Sequence, residues 1–290
     1  MRNFDELSSD YKQSLEYRAL VMVTKSQYEY HIRLMSKQFG RTRLKSFTPL
    51  RAKKAYDVWC ERGVSFANHL MATASVIFNH GVRMEHVDNN PFEKVKRRTT
   101  RSRKTVWTPD QVQTFLQYAY KDFNTRNIGL IAQMAYEWCQ RLGDMRLLEW
   151  NNIDFNKQRV DIEQSKRRAE VSLPISDELF DMLQEQQEDF GFQTYVAPRP
   201  YPLRGEYVPY TVYKLPLHGK RLMAEAGLPS DLRLSDLRRT GTTEMVEAGV
   251  GIGQIMSVTG HANPQSVKPY MKNTYDSANY ALTKRKNHDK

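Results

Sequence analysis

Apolar positions in this chain recur mostly at helical spacing, with one stretch alternating at every second residue, so the pattern predicts a mainly α protein containing a small β-sheet or hairpin. Between residues 17 and 92, Tyr28, Ile32 and Met35 fall on one helical face, and Leu70, Ala74, Ile77 and Phe78 on another. Gly40 and Gly63 punctuate these runs. Thr48-Pro49 reads as an N-cap followed by proline at the first helical position. At Asn90-Pro91 the chain turns, because the residue before a proline disfavours the α conformation. Residues 17–93 are therefore expected to form a small all-α domain, with residues 1–16 ahead of them as a tail.

A second domain is expected over residues 106–290. It opens at Thr108-Pro109-Asp110-Gln111, where Thr108 supplies the N-cap, Pro109 sits at N1 and Gln111 completes a capping box. Helical patterns cover 111–120 and 128–138, and the second leads into an apolar face of Leu142, Met145 and Leu148. Strict alternation follows on both sides of a polar centre, with Val160 and Ile162 before it and Val171, Leu173 and Ile175 after it. That is the signature of a hairpin, whose turn side carries Lys166, Arg167 and Arg168. Ser176 caps the next helix, with Asp177 and Glu178 in its first turn. The Tyr- and Pro-rich stretch 195–210 reads as a long connection. A helix near 217–226 follows, and another opens around Arg238 and Arg239.

Composition narrows the partners. The 290 residues carry a formal net charge of +11, with a pI near 9.5, which favours an anionic partner and nucleic acid ahead of a membrane surface. Part of that charge lies between the two expected domains. Residues 94–105 hold Lys94, Lys96, Arg97, Arg98, Arg101, Arg103 and Lys104 with almost no apolar content, so they read as a linker. It is either a solvated spacer or an arm laid along a phosphate backbone, whose binding depends on salt. Cys60 and Cys139 stand alone, which argues against a disulfide framework or a zinc knuckle and fits a reducing compartment. The N-terminus has no apolar signal segment, and no apolar run approaches the ~20 residues of a membrane span. A cytoplasmic chain without a membrane partner is expected. There is no internal repeat and no Gly-rich phosphate loop.

Residues suited to phosphate chemistry gather in the second domain. Arg141 is followed by Asp144, Lys166 sits on the hairpin, Arg238 near a helix start, and His261 after Gly260, with Tyr270 nine residues further on. Arginine forks and a histidine can hold a phosphate, and a tyrosine can attack one. In this order the residues resemble the tyrosine recombinases of the phage-integrase type. QRLGDMRLLEWNNID resembles that family's first arginine box, SDLRRT its second (usually His-x-x-Arg), and GHANPQSVKPY its Gly-His and nucleophile spacing. The resemblance covers the second domain nearly end to end. The first half resembles the family's helical core-binding domain more loosely.

The resemblance implies an α+β catalytic domain behind a core-binding domain, forming a clamp around duplex DNA. It implies that Arg141, Arg238 and His261 bind the scissile phosphate and that Asp144 orients Arg141. Tyr270 would form a 3′-phosphotyrosyl link and Lys166 would protonate the leaving 5′ oxygen, with no metal, cofactor or ATP. It further implies a tetramer on two paired attachment sites, in a bacterial host cell and on its nucleoid when bound, with accessory DNA-bending or directionality proteins as further partners. Arg167, Arg168 and Arg239 join the basic linker as expected DNA contacts. No room for a separate arm-type domain is expected ahead of Tyr17, which suits a compact integrase of a phage or other mobile element.

Taken singly, each residue has a plainer reading. Arg141 and Asp144 make a surface pair, and Lys166 is a hairpin-tip charge with Arg167 or Arg168 as the true contact. His261 is a loop histidine, and Tyr270 competes with Tyr275 and Tyr280. Two positions depart from the family. Ser235 stands at its second-box histidine, where a serine is a poor base and a good N-cap, so a cap is the expected role. Cys139 stands where glycine is common. A catalytically impaired DNA-binding protein of the same fold, or a type IB-like topoisomerase, is the alternative.

Overall fold

Asn3 accepts a hydrogen bond from the Glu6 amide at 3.0 Å and so starts a helix almost at the first residue. A computed structural model of the chain describes residues 3–100, 103–166, 168–271 and 275–288. They divide into two compact units, 1–103 and 104–290.

In the first unit, α1 (Phe4–Gln13) and α2 (Leu15–Arg18) precede α3 (Met22–Phe39), α4 (Pro49–Glu61) and α5 (Val64–Arg83). The expected tail, 1–16, is thus corrected over residues 3–16, Met1 and Arg2 lying outside the described residues. Phe4, Leu7 and Tyr11 recur at helical spacing and are buried against α3 and α5, so this short amphipathic segment belongs to the core. Thr48 caps α4 with Pro49 at N1. Trp59 stacks on Phe92 at 5.8 Å between ring centroids. The expected linker also begins inside this unit. Val95 is buried, the Arg98 amide donates to Tyr56 Oη at 2.7 Å, and the Asn68 amide side chain donates to the Arg98 carbonyl at 3.0 Å. One buried apolar residue and these bonds order a segment that its charge marked as loose.

In the second unit, α6 (Pro109–Ala119) opens on the Thr108–Gln111 capping box. Ahead of it Trp107 is buried, its amide donating to Thr240 Oγ1 at 3.0 Å. α7 (Phe123–Glu137) is buried along most of its length, packed by α6 and by the later α11 (Leu237–Glu247). After α8 (Leu142–Met145), the strands β1 (Ile153–Asp154), β2 (Arg159–Glu163) and β3 (Glu170–Pro174) form one antiparallel sheet in chain order. Its register pairs Val160 with Leu173 and Ile162 with Val171, and all four side chains are buried. α9 (Asp177–Phe190), α10 (Lys214–Glu225), α12 (Ile252–Thr259) and α13 (Tyr275–His288) complete the described α-helices. The fold is mainly helical with one small sheet, as the periodicity indicated. Among the described residues no helix is long and apolar enough to cross a membrane.

Candidate active site

The end of α12, the start of α11, the entry to α8 and the β2–β3 turn converge on one polar cluster. At its centre is the Thr259 carbonyl, which accepts from Arg238 Nη2 at 2.8 Å and from Gln164 Nε2 at 2.8 Å. Gln164 Oε1 accepts from Arg141 Nη1 at 2.8 Å, so both arginines are tied to one shared frame. Asp144 lies beneath, with Oδ2 3.6 Å from Arg141 Nη1 and Oδ1 accepting from the Ser165 amide and hydroxyl. Asp144, expected to orient Arg141, thus touches two segments, Arg141 and the hairpin turn.

Arg238 is buried, and its Nη1 has no hydrogen-bond partner. Burial first, then the like charge of Arg141, pulls its guanidinium below the usual range. His261 Nε2 accepts from Arg238 Nη2 at 3.3 Å, while its Nδ1–H donates to Thr259 Oγ1 at 2.7 Å. The tautomer follows from direction, since the Thr259 hydroxyl already donates to the Ile255 carbonyl at 2.7 Å and can only accept from the ring.

Gly260 makes this corner possible. It closes α12 in the left-handed region at φ 68°, and an added Cβ would lie 2.5 Å from Gln164 Nε2. Gly260→Ala is expected to lower the thermal midpoint of the second unit by about 2–8 °C, from left-handed strain of ~1–2 kcal/mol plus displacement of Gln164. Scanning calorimetry checks this, and an unchanged midpoint refutes the close approach.

Tyr270 ends a short 3₁₀ turn, Lys268–Tyr270, anchored by buried Val267. Its ring centroid is 6.1 Å from that of His261, and the Arg239 guanidinium carbon lies 5.0 Å from the ring centroid. Arg239, expected as a DNA contact, is therefore packed on the candidate nucleophile; adjacency to Arg238 in sequence did not reveal this. The side chains of Tyr275 and Tyr280 lie outside the described residues.

Among the described residues no hydrogen bond joins Lys166 or Ser235 to this network. Lys166 is exposed on the β2–β3 turn, two positions beyond Gln164. The expected cap role of Ser235 is corrected. Residues Leu234–Asp236 are already a 3₁₀ turn running into α11, Asp236 occupies the N-cap with helical angles, and no side chain caps the helix. Ser235 is exposed. Cys139 adopts φ 50°, which explains why glycine suits this position, and burial pushes its thiol up to about 11.

Of the expected backbone contacts, Lys94, Lys96, Arg97 and Lys104 are exposed, and Arg103 is half-buried. Arg98 pairs with Asp57 at 3.2 Å, and Arg168 with Glu163 at 3.5 Å. Arg101 and Arg167 lie outside the described residues. Among the described residues no group of three or more His, Cys, Asp or Glu side chains is placed to hold a metal ion.

Gln140, Gln164, Ser165 and Thr259 escaped the sequence reading. A signal existed for Gln164, because the alternation of Val160 and Ile162 makes it the next inward-facing position, where a polar residue is unusual. The set as a whole, two guanidiniums and an imidazole beside a phenol, is suited to binding and attacking a phosphodiester.

Comparisons with known proteins bear on the family and on the fold. The model of the Phage integrase family matches residues 105–277. A tyrosine recombinase of Pseudothermotoga lettingae is 23% identical over 253 residues, spanning 86% of this chain and 78% of its own. Among solved structures, the Tn1549 transposon integrase in complex with a circular intermediate DNA has a TM-score of 0.80 at 16% identity, covering 98% of this chain and 100% of that one. A lambda integrase tetramer bound to a Holliday junction has a TM-score of 0.78 at 17% identity, covering 93% of this chain and 78% of that one. At these identities the two structures speak for the fold.

Proposed function

Because the chain belongs to the phage integrase family of tyrosine recombinases, we propose that it is a site-specific DNA recombinase, cutting and rejoining duplex DNA in the integration or excision of a phage or other mobile element. The observation that carries this reading is Arg238. Its buried guanidinium has no carboxylate ion pair among the described residues, keeps Nη1 unpartnered, and shares its surroundings with the like charge of Arg141. A buried cation held this way costs several kcal/mol unless an anion meets it. A phosphodiester is that anion.

In the proposed reaction Tyr270 Oη forms a bond to phosphorus while the P–O5′ bond breaks. Lys166 gives its proton to the departing 5′ oxygen. The tyrosine proton passes to water, since no histidine stands at Ser235 and Tyr270 is half-exposed. Arg141 and Arg238 stabilise the extra charge on the non-bridging oxygens, and His261, fixed by Thr259 at Nδ1, holds the Arg238 guanidinium through Nε2 beside the same phosphate. The phosphotyrosyl bond conserves the energy of the diester, so attack by another strand's 5′-hydroxyl reverses the step and joins new ends. By likeness to the lambda integrase tetramer, four copies on two paired DNA sites are the proposed working assembly.

The test is a pool of nicked duplexes with randomised cores, from which the protein selects its own site as a denaturant-stable adduct. Sequencing the captured DNA and mapping the modified residue by mass spectrometry should give one site and Tyr270. Sequence-selective binding without adduct would replace this reading with the impaired DNA-binding protein. An adduct accompanied by relaxation of supercoiled DNA, without exchange between paired sites, would replace it with the topoisomerase.

The exposed cations Lys94, Lys96 and Arg97 are proposed as backbone contacts. Changing all three to alanine is expected to weaken DNA binding at every sequence tested. The slope of log affinity against log salt should flatten by roughly 0.9 for each phosphate that is no longer neutralised. Titration at several salt concentrations measures this, and an unaltered slope makes these residues a solvated surface.

A further inference from the structure

Gln164 stands where the alternation of β2 would place a third apolar side chain, and it is 0% exposed. Its amide is used at both ends. Oε1 accepts from Arg141, and Nε2 donates to Gln140 Oε1 at 2.6 Å and to the Thr259 carbonyl at 2.8 Å. The same carbonyl holds Arg238. Gln140 is itself pinned, donating to the carbonyls of Trp138 at 2.8 Å and Val258 at 2.7 Å. The main chain of Gln164 closes the hairpin turn, donating to the Ala169 carbonyl and accepting from the Arg168 amide, each at 2.9 Å. Lys166 rides on that turn. An apolar side chain of the same shape here would leave Gln140 Oε1 buried without its donor, so part of this amide's worth is structural, and the bond to Arg141 is the part that burial does not call for.

We propose that Gln164 is a positioning residue for the phosphate chemistry: its amide sets the separation of the Arg141 and Arg238 guanidiniums and ties the Lys166 turn to both. This rests on the recombinase reading above. Glutamine suits the task because it offers an acceptor to Arg141 and a donor to two oxygens from one planar group. Glutamate would face Gln140 Oε1 and the Thr259 carbonyl with a second acceptor and neutralise Arg141. Methionine would fill the volume and release Arg141 Nη1.

The test uses the full chain and the nicked duplex selected by the wild-type protein. Gln164→Met and Gln164→Glu are compared with wild type for thermal midpoint, DNA affinity, and adduct formation at saturating DNA. Positioning predicts affinity within about 3-fold, a midpoint lowered by about 2–12 °C for Gln164→Met from the orphaned Gln140 Oε1, and, well below that midpoint, an adduct rate lowered roughly 10–100-fold, the scale of a misplaced catalytic group. A saturated rate near wild type in both variants overturns the proposal. So does a fall in rate that only follows weaker affinity and stability, or the failure of both variants to fold, since the amide would then be structural. Absence of any adduct with the wild-type chain is a different failure, of the recombinase reading itself, and takes this proposal with it.

Discussion

Tyr270→Phe is expected to abolish the covalent DNA adduct while leaving affinity within about 2-fold of wild type. The phenyl ring keeps the neighbours that place residue 270, namely the Arg239 guanidinium at 5.0 Å and the His261 ring at 6.1 Å. What disappears is the hydroxyl, and with it the oxygen that must bond to phosphorus. The loss should therefore appear as absent chemistry rather than weakened binding. A denaturing gel of the nicked-duplex reaction reads the adduct, and a mobility-shift titration reads the affinity. Surviving adduct would move the nucleophile, and mass spectrometry would then separate Tyr275 from Tyr280.

Arg238→Met is expected to separate stability from activity. Removal of a buried cation with no carboxylate ion pair among the described residues relieves a desolvation penalty, and methionine fills much of the same volume. The Thr259 carbonyl keeps its donor from Gln164 Nε2, so little is left unpaired. The thermal midpoint should stay level or rise by about 2–4 °C, equivalent to ~1 kcal/mol. Adduct formation should fall by roughly 10²–10³-fold, the usual cost of one preorganised charge-stabilising group. Calorimetry and single-turnover cleavage measure the two sides. A midpoint that falls by several degrees would show that Arg238 is part of what holds the unit together.

Several elements were legible because their causes are local. The Thr108–Gln111 capping box needs four adjacent residues. The hairpin needs alternation in two neighbouring strands, and Val160, Ile162, Val171 and Leu173 supply it. The tail reading of residues 1–16 failed for the opposite reason. Phe4, Leu7 and Tyr11 are few among charged neighbours, and their importance depends on α3 and α5, which lie far along the chain. Ser235 failed in the same way, since a side chain caps a helix from a residue that is itself extended, and Ser235 lies inside a 3₁₀ turn that runs straight into α11.

What this sequence determined by itself was the kind of fold, from the period of its apolar positions, and the family, from arginine, histidine and tyrosine motifs in a characteristic order. Those signals are carried by residue type and spacing along the chain. What the tertiary structure decided was how the candidate site is held. Gln164 and Thr259 are 95 residues apart, yet one carbonyl joins them and Arg238, while Arg141 reaches the same amide from another segment. Neither residue carries a charge or a recognisable motif. Their role comes from burial, which makes each hydrogen bond directional and each unpaired atom costly, and burial is a property of the folded chain rather than of any stretch of it.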